Sequence, residues 1–232
     1  MPSRPTGPAP ALVLFDIDGT LLRRAGPDHR QALEDAVKRV SGLSVSADGV
    51  PVQGMLDHVI ITAMMRKAGA AAGQVRPLLP EIMKKAQSLY VRRCPDLQRA
   101  VCPGVRAALG KLQRRGIPAG LVTGNLSRIA WRKMERAGLK PYFRFGAFAE
   151  EGPTRASLAR RAIREARREG WIDASSVVAL VGDHANDIIA ARAAGARSIA
   201  VGTGLSPTSE LTPHSPDYLL KDLREFRLGM LA

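Results

Sequence analysis

The chain has 232 residues, 45% hydrophobic and 24% charged, which supports a packed core and argues against intrinsic disorder. A formal net charge of +14 raises nucleic acid as a partner, yet the positive charge is spread from end to end, and three Tyr, two Trp and five Phe are few for stacking on bases. A general field that attracts small anions is the more economical reading. No apolar stretch approaches the roughly 20 residues that span a bilayer. The first ten residues, 1–10, lack the apolar centre of a signal peptide and read as a flexible tail, so a soluble, cytoplasmic protein is expected.

In chain order, Leu12 to Phe15 is an apolar run typical of a buried, parallel strand. About 80 residues of helical pattern follow Thr20. Ala32, Leu33, Ala36, Val37 and Val40 mark one amphipathic face, and Met55, Leu56, Val59, Ile60, Ala63 and Met64 mark a second. A third helix is expected from Pro80, with Ile82, Met83, Ala86, Leu89 and Tyr90 inward. From Pro103 the pattern alternates: a helix to Arg115, a strand over 118–123, a helix over 127–137, a weaker strand over 143–148 and a helix over 154–169. Strands over 177–181 and 198–201 flank a helix ending at Gly195, and a last short strand is expected over 218–220. Strands separated by helices of this length predict a doubly wound parallel α/β sheet. The boundaries that follow are a tail over 1–10, a core domain from 11–22 and 96–232, and a small helical domain over 23–95. Cys94 and Cys102 have no metal-site spacing and are expected as free thiols in a reducing compartment.

The chemistry-bearing residues lie at the strand ends. Asp16 and Asp18 follow the first strand, and in an extended segment residues i and i+2 point to the same side. Two carboxylates held together repel, and a bound cation relieves them; the alternative is an Asp-Gly turn with both acids solvated. Thr123-Gly124-Asn125 ends the second strand just before a helix, where a hydroxyl, a glycine and free helix amides suit a phosphate, though an ordinary turn and cap has the same pattern. Gly182-Asp183 ends the fourth strand, and Asp187 lies on the same side one helical turn on, an arrangement that simple pairing with the helix dipole also produces.

The segment Asp16-Ile17-Asp18-Gly19-Thr20-Leu21 resembles the first motif of the haloacid dehalogenase (HAD) superfamily. Thr123 resembles its second motif, and Gly182-Asp183 with Asp187 its fourth. The third motif is a single basic residue, usually lysine, before or at the start of the helix preceding strand four. Arg155 stands there. At 100° per residue it falls within the apolar stripe of Leu158, Ala159, Ala162, Ile163 and Ala166, whereas Arg160, Arg161, Arg164, Arg167 and Arg168 fall opposite. A helix-start arginine reaching solvent is the alternative, and guanidinium for ammonium is not a neutral exchange.

The resemblance implies a Rossmann-like HAD core with a type 1 helical cap and a Mg²⁺-dependent phosphatase acting on a small phosphorylated metabolite. It implies that Asp16 attacks phosphorus to form an aspartyl-phosphate and that Asp18 protonates the leaving oxygen. Thr123, Gly124, Asn125 and Arg155 would bind the phosphoryl group, Thr123 and Arg155 taking part in catalysis. Mg²⁺ would be held by Asp16, Asp183 and the main-chain carbonyl of Asp18, with Asp187 in support. Dehalogenases lack the second acid, so Asp18 argues for phosphate esters. Gln53-Gly54-Met55 stands at the family's specificity loop, with Asp57 and His58 following, although packing is the commoner role for His58 on so apolar a helix. Mutases of the family carry an arginine shortly after that glycine; here none appears before Arg66, which ranks a phosphatase above a sugar-phosphate mutase. A nucleic-acid-binding protein and a non-catalytic HAD fold are further alternatives. The sequence leaves the substrate and the oligomeric state open.

Overall fold

A computed structural model describes residues 7–23 and 27–232. The expected tail therefore lies outside the described residues over 1–6, as do residues 24–26 of the expected helical domain. Six strands, β1 (Ala11–Phe15), β2 (Ala119–Val122), β3 (Phe145–Ala147), β4 (Val177–Gly182), β5 (Arg197–Val201) and β6 (Tyr218–Leu220), form one sheet in the order β3-β2-β1-β4-β5-β6. Every pairing is parallel. All five residues of β1 are buried, as a strand covered on both faces requires.

The strand order decides where a ligand can sit. From β1 the chain winds outward through β2 and β3, then returns to place β4 against the other side of β1 and winds the opposite way. The switch point lies between β1 and its neighbours, where connections leave in opposite directions and open a crevice at the strands' carboxyl ends. Phe15 pairs with both Leu121 and Val181, so the residues that follow these three strands emerge side by side.

Among the described residues eight α-helices complete the fold: α1 (Asp28–Ser41), α2 (Asp57–Lys67), α3 (Ala72–Arg93), α4 (Val105–Arg114), α5 (Ser127–Arg136), α6 (Arg155–Arg168), α7 (Ala185–Ala193) and the single turn α8 (Thr208–Leu211). The helices α1–α3 lie between β1 and β2 in sequence and pack on one another, and α3 also packs on α5. Their buried residues, among them Leu33, Ile61 and Tyr90, share one continuous apolar cluster with Leu12 and Val13 of β1.

The third helix corrects the sequence expectation, for it begins at Ala72 rather than at Pro80 and contains both Pro77 and Pro80. A proline inside a helix orphans the carbonyl four residues earlier. Those carbonyls belong to Gly73 and Arg76, both exposed, so water can satisfy them. Gln74 Oε1 accepts the Ala71 N–H at 2.8 Å and fixes the earlier start. Cys94 and Cys102 are free thiols, as expected, and both are buried. Burial pushes the thiol of Cys102 up to about 11.

Gly104, which precedes α4, adopts φ 83° against the backbone of the C-terminal segment; a Cβ there would lie 2.1 Å from the Arg224 nitrogen. Gly110, inside the same helix, would place its Cβ only against the flexible end of Arg114, at 3.3 Å. Gly104→Ala is expected to destabilise the fold by about 1–3 kcal/mol or more, because it combines left-handed strain with a backbone clash. Gly110→Ala is expected to stabilise by up to about 1 kcal/mol. Denaturant melts of the two variants check the opposite signs.

Candidate active site

The end of β1 delivers Asp16 into the crevice. Its N–H continues the ladder to the Val181 carbonyl at 3.0 Å, so backbone pairing fixes where the carboxylate leaves the sheet. Asp183 follows β4 and Asp187 lies in the first turn of α7. All three are buried, and one carboxylate oxygen from each lies within 4.8 Å of the others. Glycine backbone makes this crowding possible: a Cβ on Gly19 would fall 2.1 Å, and one on Gly204 1.8 Å, from Oδ2 of Asp183.

Arg155 is the cation that faces this trio. Thr154 caps α6, its hydroxyl accepting the Ser157 N–H at 3.1 Å, and this places Arg155 at the first helical position. As the 100° reckoning predicts, Arg155 is buried on the same face as Leu158, Ala159, Ala162, Ile163 and Ala166, while the five other arginines of the helix are exposed. Its Nη1 donates to Oδ1 of Asp16 at 2.7 Å and lies 2.9 Å from Oδ1 of Asp187. The second contact is an ion pair without hydrogen-bond alignment, and Oδ1 of Asp187 has no hydrogen-bond partner.

One guanidinium does not balance three buried carboxylates. Burial, joined by the charges of Asp16 and Asp187, pushes the Asp183 carboxyl far above its ordinary value. Burial likewise raises Asp187, with Arg155 opposing and Asp16 adding to the rise. The net negative charge, the all-oxygen donors and the unpartnered Oδ1 suit a hard divalent cation.

Asp18 stands apart from this cluster. Its side chain turns toward Lys133 of α5, whose Nζ donates at 2.7 Å to Oδ1 and 2.6 Å to Oδ2. The same Nζ donates to Oδ1 of Asn125 at 2.6 Å and lies 3.2 Å from Nδ1 of His29. A lysine has three N–H donors, and these three partners use them all. His29 Nδ1 must accept from the ammonium, which leaves the proton on Nε2 to reach Oδ2 of Asp57 at 3.1 Å. Burial alone would raise Asp18, but the charge of Lys133 and the hydrogen bonds from Lys133 and Asn125 outweigh it and hold the carboxyl below its ordinary value.

Lys133 and His29 were not singled out from sequence. For Lys133 the signal was present, because it falls on the buried face of α5 with Ile129, Ala130 and Met134, the same argument that identified Arg155. His29 gave no such signal, being one polar residue on the first turn of α1.

The loop after β2 forms the opposite wall. Thr123 is fully buried, and its Oγ1 accepts from Nδ2 of Asn125 at 2.8 Å. Asn125 in turn donates to Oδ2 of Asp18 at 2.8 Å. Gly124 and Asn125 line the cavity directly, whereas Thr123 lies behind them. Residues 53–57 are stapled across this floor. The Asp57 N–H donates to the Gly124 carbonyl at 2.8 Å, Oδ2 of Asp57 accepts the Leu126 N–H at 2.8 Å, and Nδ2 of Asn186 donates to the Gly54 carbonyl at 3.0 Å. A Cβ on Gly124 would lie 2.1 Å from the Met55 carbonyl oxygen, so only glycine permits this approach.

The resulting cavity of about 470 Å³ is lined by Asp16, Asp18, Asp183, Arg155, Gly124 and Asn125 on one side and by Gln53, Gly54, Met55 and Asp57 on the other. Nearly every sequence-identified residue is thus brought to one place. The exceptions are Thr123 and Asp187, which support the lining from behind, and His58, which does not reach it.

A model of the haloacid dehalogenase-like hydrolases matches residues 10–195. The chain belongs to that family and is an enzyme, a hydrolase. Among curated proteins it is 35% identical over 208 residues to a phosphoglycolate phosphatase of Chromobacterium violaceum, covering 86% of this chain and 88% of the relative. It is 27% identical over 220 residues to that of Vibrio parahaemolyticus, covering 92% and 93%. Among solved structures it resembles a β-phosphoglucomutase from Clostridium difficile, with a TM-score of 0.68 at 15% identity over 96% of this chain and 95% of that one. It also resembles a predicted phosphoglycolate phosphatase from Haemophilus somnus, with a TM-score of 0.66 at 18% identity over 91% and 94%. These structural likenesses show the HAD fold. Among the described residues no helix is long and apolar enough to cross a membrane.

Removing the cation should expose the charge imbalance. Arg155→Met is expected to lower stability by about 3–5 kcal/mol near pH 7.5 in the presence of chelator, because it leaves buried carboxylates unpaired. Asp183 and Asp187 have raised folded pKa values, so the folded state binds more protons than the unfolded one, and their unfavourable contribution grows as pH rises. The loss should therefore shrink toward pH 5, where both take up protons. Urea titrations at the two pH values check this, and an equal loss at both contradicts it.

Proposed function

We propose that the protein is a Mg²⁺-dependent phosphatase of small phosphate monoesters that works through a phosphoryl group carried on Asp16. The observation that carries this reading is the meeting of Asp16, Asp183, Asp187 and Arg155 at the switch point of the sheet, with Asp18 beside them on the cavity wall. The curated relatives named as phosphatases support it.

Asp16 and Asp183 are the residues that would hold Mg²⁺, with Asp187 in support and, by family analogy, the main-chain carbonyl of Asp18. Such an ion polarises phosphoryl oxygens and offsets charge that builds up on them. Arg155 fixes Oδ1 of Asp16, which leaves the other carboxylate oxygen to attack. As that oxygen bonds to phosphorus, the bond from phosphorus to the ester oxygen breaks and Asp18 gives its proton to the departing oxygen. Water then attacks phosphorus and loses a proton to Asp18, the bond to Asp16 breaks, and inorganic phosphate leaves with both aspartates restored.

In the free enzyme Lys133 holds Asp18 as a carboxylate, so Asp18 takes up a proton from solvent as substrate binds and returns it when inorganic phosphate leaves. The charge of an arriving phosphate dianion acts in the opposite sense and raises its proton affinity. Gly124 and Asn125 receive the phosphoryl oxygens, and buried Thr123 orients Asn125. Residues 23–95 serve as a cap whose loop Gln53–Met55 closes over the leaving group and excludes water.

Asp16→Asn is expected to abolish Mg²⁺-dependent phosphate release, and Asp18→Asn to reduce kcat by about 10²–10⁴. Chelation should stop the wild-type reaction and added Mg²⁺ restore it. Near-normal release by Asp16→Asn in a screen of small phosphate esters would sink the proposal.

A further inference from the structure

Apolar side chains form much of the cavity wall: Leu33 of α1, Val52 just before the specificity loop and Met55 within it, Ile60 of α2, and Leu205 after β5. Val52 and Leu205 are 43% and 48% exposed, two of the four large apolar side chains so exposed among the described residues. Exposed apolar groups gathered at a pocket mark a binding surface, whereas scattered ones need no explanation. A volume of about 470 Å³ is within the range of sites that enclose ligands well beyond two carbons, roughly 300–1,000 Å³.

The cations of the cavity point the same way, because those that are buried are already committed. The three donors of Lys133 go to Asp18, Asn125 and His29, and the charge of Arg155 is paired through Nη1 with Asp16 and Asp187, although its buried Nε has no partner. Arg30 pairs with Glu34 and Asp48, and His29 passes its remaining proton to Asp57. Arg30 and the last lining cation, Arg23, are both exposed. A leaving group with a carboxylate next to the ester carbon would meet no buried cation whose charge is not already paired with a carboxylate.

Resting on the phosphatase reading above, we infer that the substrate is a phosphate monoester of a largely apolar alcohol, of the bulk of a ring or a six-carbon chain, and that Leu33, Val52, Ile60 and Leu205 determine this specificity. Each methylene that enters the wall adds to transition-state binding, and a single one in an apolar pocket is worth about tenfold or more in kcat/KM.

The test is a series of alkyl phosphates from ethyl to hexyl, with 2-phenylethyl phosphate and 2-phosphoglycolate, assayed with Mg²⁺. These alkyl alcohols are leaving groups of similar acidity, so the trend reports binding rather than intrinsic reactivity. kcat/KM is expected to climb by about 10²- to 10⁴-fold from ethyl to hexyl as two to four of the added methylenes enter the wall, chiefly through KM, and 2-phosphoglycolate to fall below hexyl and 2-phenylethyl phosphate. Leu33→Gln and Ile60→Gln should flatten the hexyl-to-ethyl ratio, which is measured within one sample and does not depend on the folded fraction. A flat series, or a preference for 2-phosphoglycolate, with turnover that Asp16→Asn abolishes, overturns the inference and leaves the phosphatase reading intact. No hydrolysis of any ester overturns both.

Discussion

Three buried carboxylates facing a single guanidinium are the constraint on which the rest of the site depends. Water is the usual solvent for such charge, and here the sheet has removed it. Asp16, Asp183 and Asp187 are held close by elements that cannot yield: a fully buried β1, the β4 ladder beside it, and the first turn of α7. Arg155 meets two of the three, and the remaining imbalance falls on Asp183 and Asp187, whose proton affinities rise in consequence. Such an arrangement is costly for a fold that has no use for it. It is intelligible, on the proposed function, as a socket whose excess negative charge a divalent cation offsets.

A second network ties the helices between β1 and β2 to that socket. Asp57 grips the start of α5 through the Leu126 N–H and holds His29 of α1, and His29 meets Lys133, which holds Asp18. The geometry of the proposed acid is therefore coupled to the seating of α1 and α2 by a chain of hydrogen bonds between buried and half-buried groups. In such surroundings these contacts are stronger than at a surface, and a missing partner costs more. The two networks divide the labour: one holds Asp16, the proposed nucleophile, and the other sets the charge of Asp18.

Much of this was legible before any coordinates. Continuous apolar runs ending in acids gave the strands and the edge at which chemistry is placed, and period-3.6 patterning gave nearly every helix. The same periodicity identified Arg155 among six arginines of one helix, because only that residue shares the apolar stripe. Local pattern failed where distant contacts decide. The early start of α3 depends on exposed carbonyls that tolerate Pro77 and Pro80. Thr123 reads as a phosphate ligand by motif, yet its hydroxyl is turned to Asn125 behind the lining. The pairing of Lys133 with Asp18 joins residues 115 apart in the chain, a distance across which no periodicity carries information.

The central claim is that Asp16 itself carries the phosphoryl group. Acid quenching during steady-state turnover, followed by peptide mass spectrometry, tests it most directly, because an acyl phosphate survives acid long enough to be mapped. The account predicts one added phosphoryl group on the peptide containing Asp16, present with substrate and lost on a chase without it. Turnover that proceeds with the phosphoryl group on another residue would contradict it.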